Sequence, residues 1–316
     1  MIDSQKTETG PRPDLDILPV NTPIGYVGGL IFPTLKVSQK AGDIAYSALI
    51  ADAAAQTGRT LGAAPTATVV GESTFAFTAA EKIKRHVVPY SSVPLFGGVA
   101  GSDRVGAAAS KRSVANAIET AQIAELIDAQ GGTDISSAIV DGLTSAANDV
   151  ARYAGKLAFV CSVGQYRWLI QQTEIKNLLG RSFGGLTAEQ VMSLNQTAFK
   201  AMLQGIFAFD EVLIFDEQFI PTNEDTAAVV KISDGADDIS FAMQPEYGRT
   251  VAYWPEAADG QFEINSFADD DIRGNVYDAT SWLQVKELNA GAKSLVQLGN
   301  SATTVANTPF QLHLQK

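Results

Sequence analysis

Residues 102–130 read SDRVGAAASKRSVANAIETAQIAELIDAQ, and the length of this one segment decides the fold. Ser102 or Asp103 can cap its start, and Gly131-Gly132 can end it. Val114, Ala117, Ile118, Ala121, Ala124 and Ile127 recur at helical spacing and form one apolar stripe. At ~1.5 Å per residue such a helix is roughly 40 Å long. That exceeds what one compact core needs, so the helix is expected to act as a backbone for other elements.

Upstream, residues 1–24 are proline-rich and mostly polar, which predicts an extended arm rather than a domain. IGYVGGLIFPTLKV (24–37) then reads as an anchoring strand. Residues 38–80 are rich in Ala, Thr and Gly and poor in core-forming bulk. Within them TATVV and STFAFT favour strand, and the Gly58–Gly62 region favours a turn. The segment therefore reads as a long projecting hairpin, a length tolerated in a compact domain when it serves a function.

Downstream, Asp134 is expected to cap a second amphipathic helix over 134–153, with Ile135, Ile139, Leu143 and Val150 as its stripe. LAFVC (157–161) reads as a strand, and GQYRWLIQQ (164–172) and EIKNLLG as helices. A further helix is expected over 188–204, with Thr187 and Gln190 as a capping box. After Gly205 the pattern turns to strands: IFAF, VLIF, AVVKI, DISFAM, TVAYWPE, QFEINSF, NVYDATSWLQVKEL and KSLVQL. Helices first and many strands later predict an α+β layout.

The chain has 316 residues, 46% apolar and 18% charged, a soluble globular balance with room for a substantial core. No apolar run approaches the ~18 residues that cross a bilayer, and the polar start carries no signal core. A soluble protein made in the cytoplasm is expected. The net charge is −12, from 35 acidic and 23 basic residues. Affinity for nucleic acid rests on Lys and Arg neutralising phosphates, so a DNA-gripping module is disfavoured. Cys161, the single cysteine, lies in an apolar run and reads as a small buried residue. With only His86 and His313 as other soft ligands, zinc is disfavoured.

Four motifs resemble chemistry and fail on named residues. In FDEVLIFDEQF (209–219) two acidic pairs bracket four apolar residues. If extended, Asp210 and Asp216 lie about 20 Å apart, whereas glycosidase carboxylates stand within roughly 5–10 Å. The segment reads as a buried strand with its charged ends in water. DDDIRG (269–274) begins like a calcium loop, but Arg273 takes position five and Thr280 takes the place of the bidentate acid. VCSVG (160–164) sits like a nucleophile elbow, yet Val160 replaces its first glycine, and Ser162 with Gln165 reads as a capping box. GGVAGSDRVG (97–106) leads into a helix, but Ala107-Ala108 follow where a phosphate loop needs Lys-Ser/Thr. No catalytic, cofactor or metal residue is assigned.

The ordered series of elements resembles the major capsid protein family of tailed bacteriophages. GLIFPTLKV resembles its lead-in strand, and QTGRTLGAAPTATVV the tip of its extended loop, with Arg59 and Gly62 as the Arg-x-x-Gly. ANAIETAQIAELIDAQGG resembles the end of its spine helix, LAFVCSVGQYRWLIQQTEIKNLLG its strand–helix–helix unit, and 248–288 its closing strands. The likeness spans residues 28–300. It implies an N-terminal arm (1–36), an extended loop (37–90), a peripheral domain (91–133 and 270–300) with spine helix 102–130, an axial domain (134–269) and a tail (301–316). It also implies self-assembly into pentamers and hexamers of an icosahedral shell around double-stranded DNA that is not read by sequence. Portal and scaffolding or decoration proteins are implied partners, with the virion as location and no membrane or cofactor. Gly58, Arg59, Gly62, Arg104 and Arg112 are the expected inter-subunit contacts.

A projecting hairpin and detached arm fix backbone while burying little surface in a monomer, so neighbouring subunits are where they gain burial. Within the same architecture the alternative is an encapsulin-like nanocompartment shell. From another class, the alternative is a carboxylate-dependent hydrolase built on the acidic clusters.

Overall fold

The computed structural model describes residues 7–11, 26–47, 72–127, 131–153, 155–182, 196–219, 225–233, 247–254 and 261–299. Two sheets and one long helix organise them. The first sheet is built on β12 (Gly274–Glu287), a 14-residue strand rich in β-branched and aromatic residues. Along one edge β12 pairs antiparallel with β5 (Ala80–Pro89). Along the other it pairs with β11 (Glu263–Asp269) and then with β10 (Gly248–Tyr253), end to end. β1 (Thr7–Pro11) adds antiparallel to β11, and β2 (Thr34–Val37) adds parallel to β10. Segments from distant parts of the chain thus meet in one sheet.

The second sheet has the order β6 (Thr133–Asp134), β13 (Lys293–Gln297), β9 (Thr226–Ile232), β7 (Lys156–Ser162), β8 (Glu211–Phe215). Its strands β7, β8 and β9 are buried on both faces, which is why LAFVC and VLIF are continuous apolar runs. Leu157, Phe159, Cys161, Val212 and Ile214 face four helices: α3 (Ile139–Val150), α4 (Val163–Gln171), α5 (Thr173–Ser182) and α6 (Gln196–Phe207). Ala158, Val160, Leu213 and Phe215 face the opposite side. There they meet α1 (Gly28–Ile31) and the end of α2 (Val99–Leu126).

α2 is the long helix expected from the sequence, shifted toward the N-terminus by about one turn. It starts at Val99, with Ser102 buried in its first turn donating to the Val99 carbonyl at 2.8 Å rather than capping. Ala107, Val114 and Ile118 pack on the first sheet, while Ile123, Leu126 and Ile127 pack on the second. The buried stripe differs from the expected one. Ala117 and Ala124 are exposed, and Ser110, Lys111, Glu119 and Gln122 are buried. Partners explain the polar members: Ser110 Oγ donates to the Tyr277 carbonyl at 2.8 Å, and Gln122 Nε2 donates to Thr250 Oγ1 at 2.8 Å. Burial of polar groups is tolerated where each finds such a bond.

Three further expectations change. Residues 24–37 form α1 and then β2 instead of one strand, because Glu119 Oε1 accepts from the Val27 and Gly28 amides at 2.7 and 2.8 Å and so starts a helical turn. Asp134 forms a turn with Ser136 and does not cap α3. The first amides of α3, Ile139 and Val140, instead donate to Glu174 of α5 at 2.9 and 3.1 Å. IFAF is not a strand, since α6 continues through Gly205 to Phe207 and Ala208 ends it at φ 55°. The starts expected at Thr187 and the strand DISFAM lie outside the described residues.

At Gly106, α2 crosses β12 so closely that a Cβ would stand 2.1 Å from the Tyr277 ring. Gly106→Ala is expected to lower stability by about 1–3 kcal/mol, despite alanine's better helix propensity. Denaturant unfolding checks this. Gly29→Ala, which meets nothing within 4 Å, serves as the control and should not destabilise.

Candidate assembly surfaces and the acidic clusters

The bracketing acids of β8 do not face one another. β7 and β8 run parallel in the register Ala158↔Glu211 to Ser162↔Phe215, and the acids serve the two ends of that pair. Asp210 Oδ2 accepts from the Leu157 amide at 2.7 Å where β7 begins. At the other end Glu217 Oε1 accepts from Ser162 Oγ at 2.8 Å and from the Gly164 amide. That carboxylate therefore sits on the N-terminus of α4, where unpaired amides and the helix dipole favour negative charge. The expectation of carboxylates merely solvating strand ends is too weak for Asp210 and Glu217. They join neighbouring elements.

Ser162 is the N-cap of α4, forming the reciprocal capping box with Gln165. Its hydroxyl is engaged with a carboxylate, and no histidine meets it among the described residues. Cys161 is buried, and burial pushes its thiol up to about 12, which leaves it unreactive. The acids of 269–274 form the β11–β12 hairpin turn, with Asp269 paired to Gly274. Asp269 Oδ1 accepts from the Asp271 and Ile272 amides, and Asp270 accepts from the Tyr90 hydroxyl at 3.1 Å. Among the described residues no three His, Cys, Asp or Glu cluster to hold a metal.

The surfaces that remain suit association. β3 (Ala41–Ser47) and β4 (Glu72–Thr78) pair antiparallel in the register Ala41↔Thr78 to Ser47↔Glu72, the base of a hairpin whose connection is residues 48–71. Phe75 and Phe77 lie buried against Val251, while Thr74, Ala76 and Thr78 are exposed. This is the alternation of a strand with one covered face. Gly58, Arg59 and Gly62 lie outside the described residues. Arg104 and Arg112 are exposed on α2, eight residues and so about 12 Å apart.

Sequence reasoning missed an apolar corner. A 3-10 segment, Tyr90–Phe96, links β5 to α2 and leaves Leu95 82% and Val99 63% exposed. Tyr90, Phe96 and Ile272 are also exposed, and the Tyr90 amide donates to the Arg273 carbonyl at 2.9 Å, joining this corner to the hairpin turn. Large apolar side chains gathered at one edge mark an interaction surface. The available signal was YSSVPLF itself, apolar residues without period in a turn-forming stretch.

Two predictions test Glu217 and Glu119, acids that accept from amides of other elements. Glu217→Ala should cost about 2–3 kcal/mol in denaturant unfolding, the scale of losing charge-assisted bonds to groups left buried. Burial raises the Glu119 carboxyl above its ordinary range, against the two amide bonds that lower it. A raised carboxyl contributes stability that is present in acid and is lost as pH rises through its folded value. The stability of the wild type relative to Glu119→Gln should therefore fall from the ordinary carboxylate range toward neutrality, as read by pH-dependent unfolding.

No protein-family profile and no curated protein matches the sequence. Solved structures do match its shape. A phage-related protein from Bordetella bronchiseptica superposes with a TM-score of 0.64 at 14% identity, covering 91% of this chain and 96% of that one. The capsid of the cyanophage P-SCSP1u gives 0.56 at 12% identity, covering 90% and 92%. A structure from Microbacterium phage Oxtober96 gives 0.52 at 12% identity, covering 89% and 94%. With a long helix shared between two sheets and a paired hairpin base beside it, the chain has the α+β fold of tailed-phage capsid proteins.

Proposed function

We propose that this protein is the major capsid protein of a tailed phage, assembling with copies of itself as pentamers and hexamers of an icosahedral shell around double-stranded DNA. The observation that carries the reading is the capsid fold together with surface that one copy leaves uncovered. Leu95, Phe96, Val99 and Ile272 are apolar groups in water, and burying each against a neighbour is worth about 1.5–3 kcal/mol. The role is structural, with no reaction to catalyse.

In this reading residues 1–36 form the arm and 37–90 the extended loop. Residues 91–133 with 270–300 form the peripheral domain, 134–269 the axial domain and 301–316 a tail. Gly58, Arg59, Gly62, Arg104 and Arg112 lie at contacts between subunits. A charge of −12 suits a wall that encloses DNA without gripping it. Portal and scaffolding or decoration proteins complete the particle, which is assembled from chains made in the host cytoplasm.

Expressed alone or with its scaffold, the protein should form particles visible by electron microscopy. Deleting residues 1–24 or 45–70 should abolish them and leave free capsomers or monomers with unchanged helical circular dichroism. A compact monomer at high concentration under every assembly condition would overturn the proposal.

A further inference from the structure

Between β5 and α2 lies a groove of about 390 Å³, lined by Lys82, Lys84, Ser113, Val114, Asn116 and Ala117. Alternation along β5 sends Lys82, Lys84 and His86 toward α2, where His86 Nε2 meets Ser113 Oγ at 3.0 Å. Glu81, Ile83 and Arg85 take the opposite face, and Asp278 holds Arg85 there. The one acid of β5 thus points away, and the groove side of the strand is cationic. Arg112, exposed on α2 one turn before Asn116, adds to that charge. Val114 and Ala117 give the groove an apolar floor, and Ile83 on its rim is 55% exposed. In a chain of net charge −12, a cationic groove with apolar walls suits an acidic partner that carries an apolar group.

The β11–β12 turn has that chemistry. Asp269, Asp270 and Asp271 against Arg273 leave it two charges negative, and Ile272 is 50% exposed among them. Its shape is held from within. Asp269 Oδ1 accepts from the Asp271 and Ile272 amides, and Asp270 accepts from the Tyr90 hydroxyl. Acid and apolar group are therefore presented together, with little ordering left to do on contact. The register of β12 with β5 runs from Gly274↔Pro89 to Ser281↔Lys82, so turn and groove stand more than about 20 Å apart along the sheet. One copy cannot bring them together.

We infer that the groove between β5 and α2 receives the β11–β12 turn of a neighbouring copy. Lys82 and Lys84 meet Asp270 and Asp271, and Ile272 lies over Val114 and Ala117. The occupant is a second copy of this chain, so the inference rests on the self-assembly reading and names one of its contacts. Two different patches meet, which makes the contact heterologous. Each copy gives its turn to one neighbour and its groove to another, the arrangement from which closed rings are built.

Cys161 is buried and unreactive, so cysteines placed at the surface report contact between copies. Full-length Asp271→Cys and Lys84→Cys variants are mixed under assembly conditions with a short bismaleimide. Covalent dimer is expected from the mixture and little from either variant alone, because neither patch meets itself. Charge reversal gives a second readout. Lys84→Glu and Asp271→Lys should each raise the concentration at which half the protein is assembled by about tenfold, and the two combined in one chain should restore it. Particles that form without the mixed cross-link, or reversals that change nothing or are not restored by combination, overturn the inference and leave the assembly proposal standing. A wild type that stays monomeric overturns both. Lys84→Glu particles that form normally but retain less DNA also overturn it, and assign the groove to nucleic acid.

Discussion

Everything in this fold is referred to the packing of α2 across two sheets. Its first five turns lie on β12 and its neighbours, and its last turns lie on the face of the second sheet made by Ala158, Val160, Leu213 and Phe215. This helix, about 42 Å long, contributes buried residues to both cores. Close approach at Gly106 over Tyr277 sets where it crosses β12. The sheets themselves are assembled from segments far apart in the chain, β5 with β12 and β2 with β10, so closure depends on long-range contacts.

Carboxylates reinforce this arrangement at its joints. Glu119 starts α1, Glu174 starts α3, Glu217 sits on the start of α4, and Asp210 holds the start of β7. In each case an acid on one element satisfies amides on another, far along the chain. Such bonds are directional, so they fix the angle at which elements meet, which apolar packing alone leaves loose. Arg85 does the same in the first sheet, donating through Nε and Nη2 to Asp278 at 2.7 and 2.6 Å. These five acids are thus structural, and Asp210 and Glu217, which resemble members of catalytic pairs, serve separate joints.

Surface tells a different story from core. The hairpin base and the exposed corner around Leu95 and Val99 carry backbone and apolar area that a single copy does not cover. A chain that folds around one rigid helix can present these features at fixed separations, a requirement for closed symmetric assembly.

The long helix, the α+β class, the buried strands LAFVC and VLIF, and the Ser162–Gln165 capping box were legible in the sequence. Each is set by periodicity or by residues within a few positions of one another. Local pattern failed where a distant partner overrode it. Glu119 turned the expected strand at 24–37 into α1, Glu174 displaced the expected cap at Asp134, and α6 ran on through Gly205 because its apolar face was covered. The apolar stripe of α2 was misjudged for the same reason: Ser110 and Gln122 are buried only because Tyr277 and Thr250 stand opposite them. The sequence by itself determined which segments are helix or strand and how much apolar surface they carry. Only the tertiary structure decided which polar groups lie inside, because burial of a polar group depends on a partner that the local pattern does not contain.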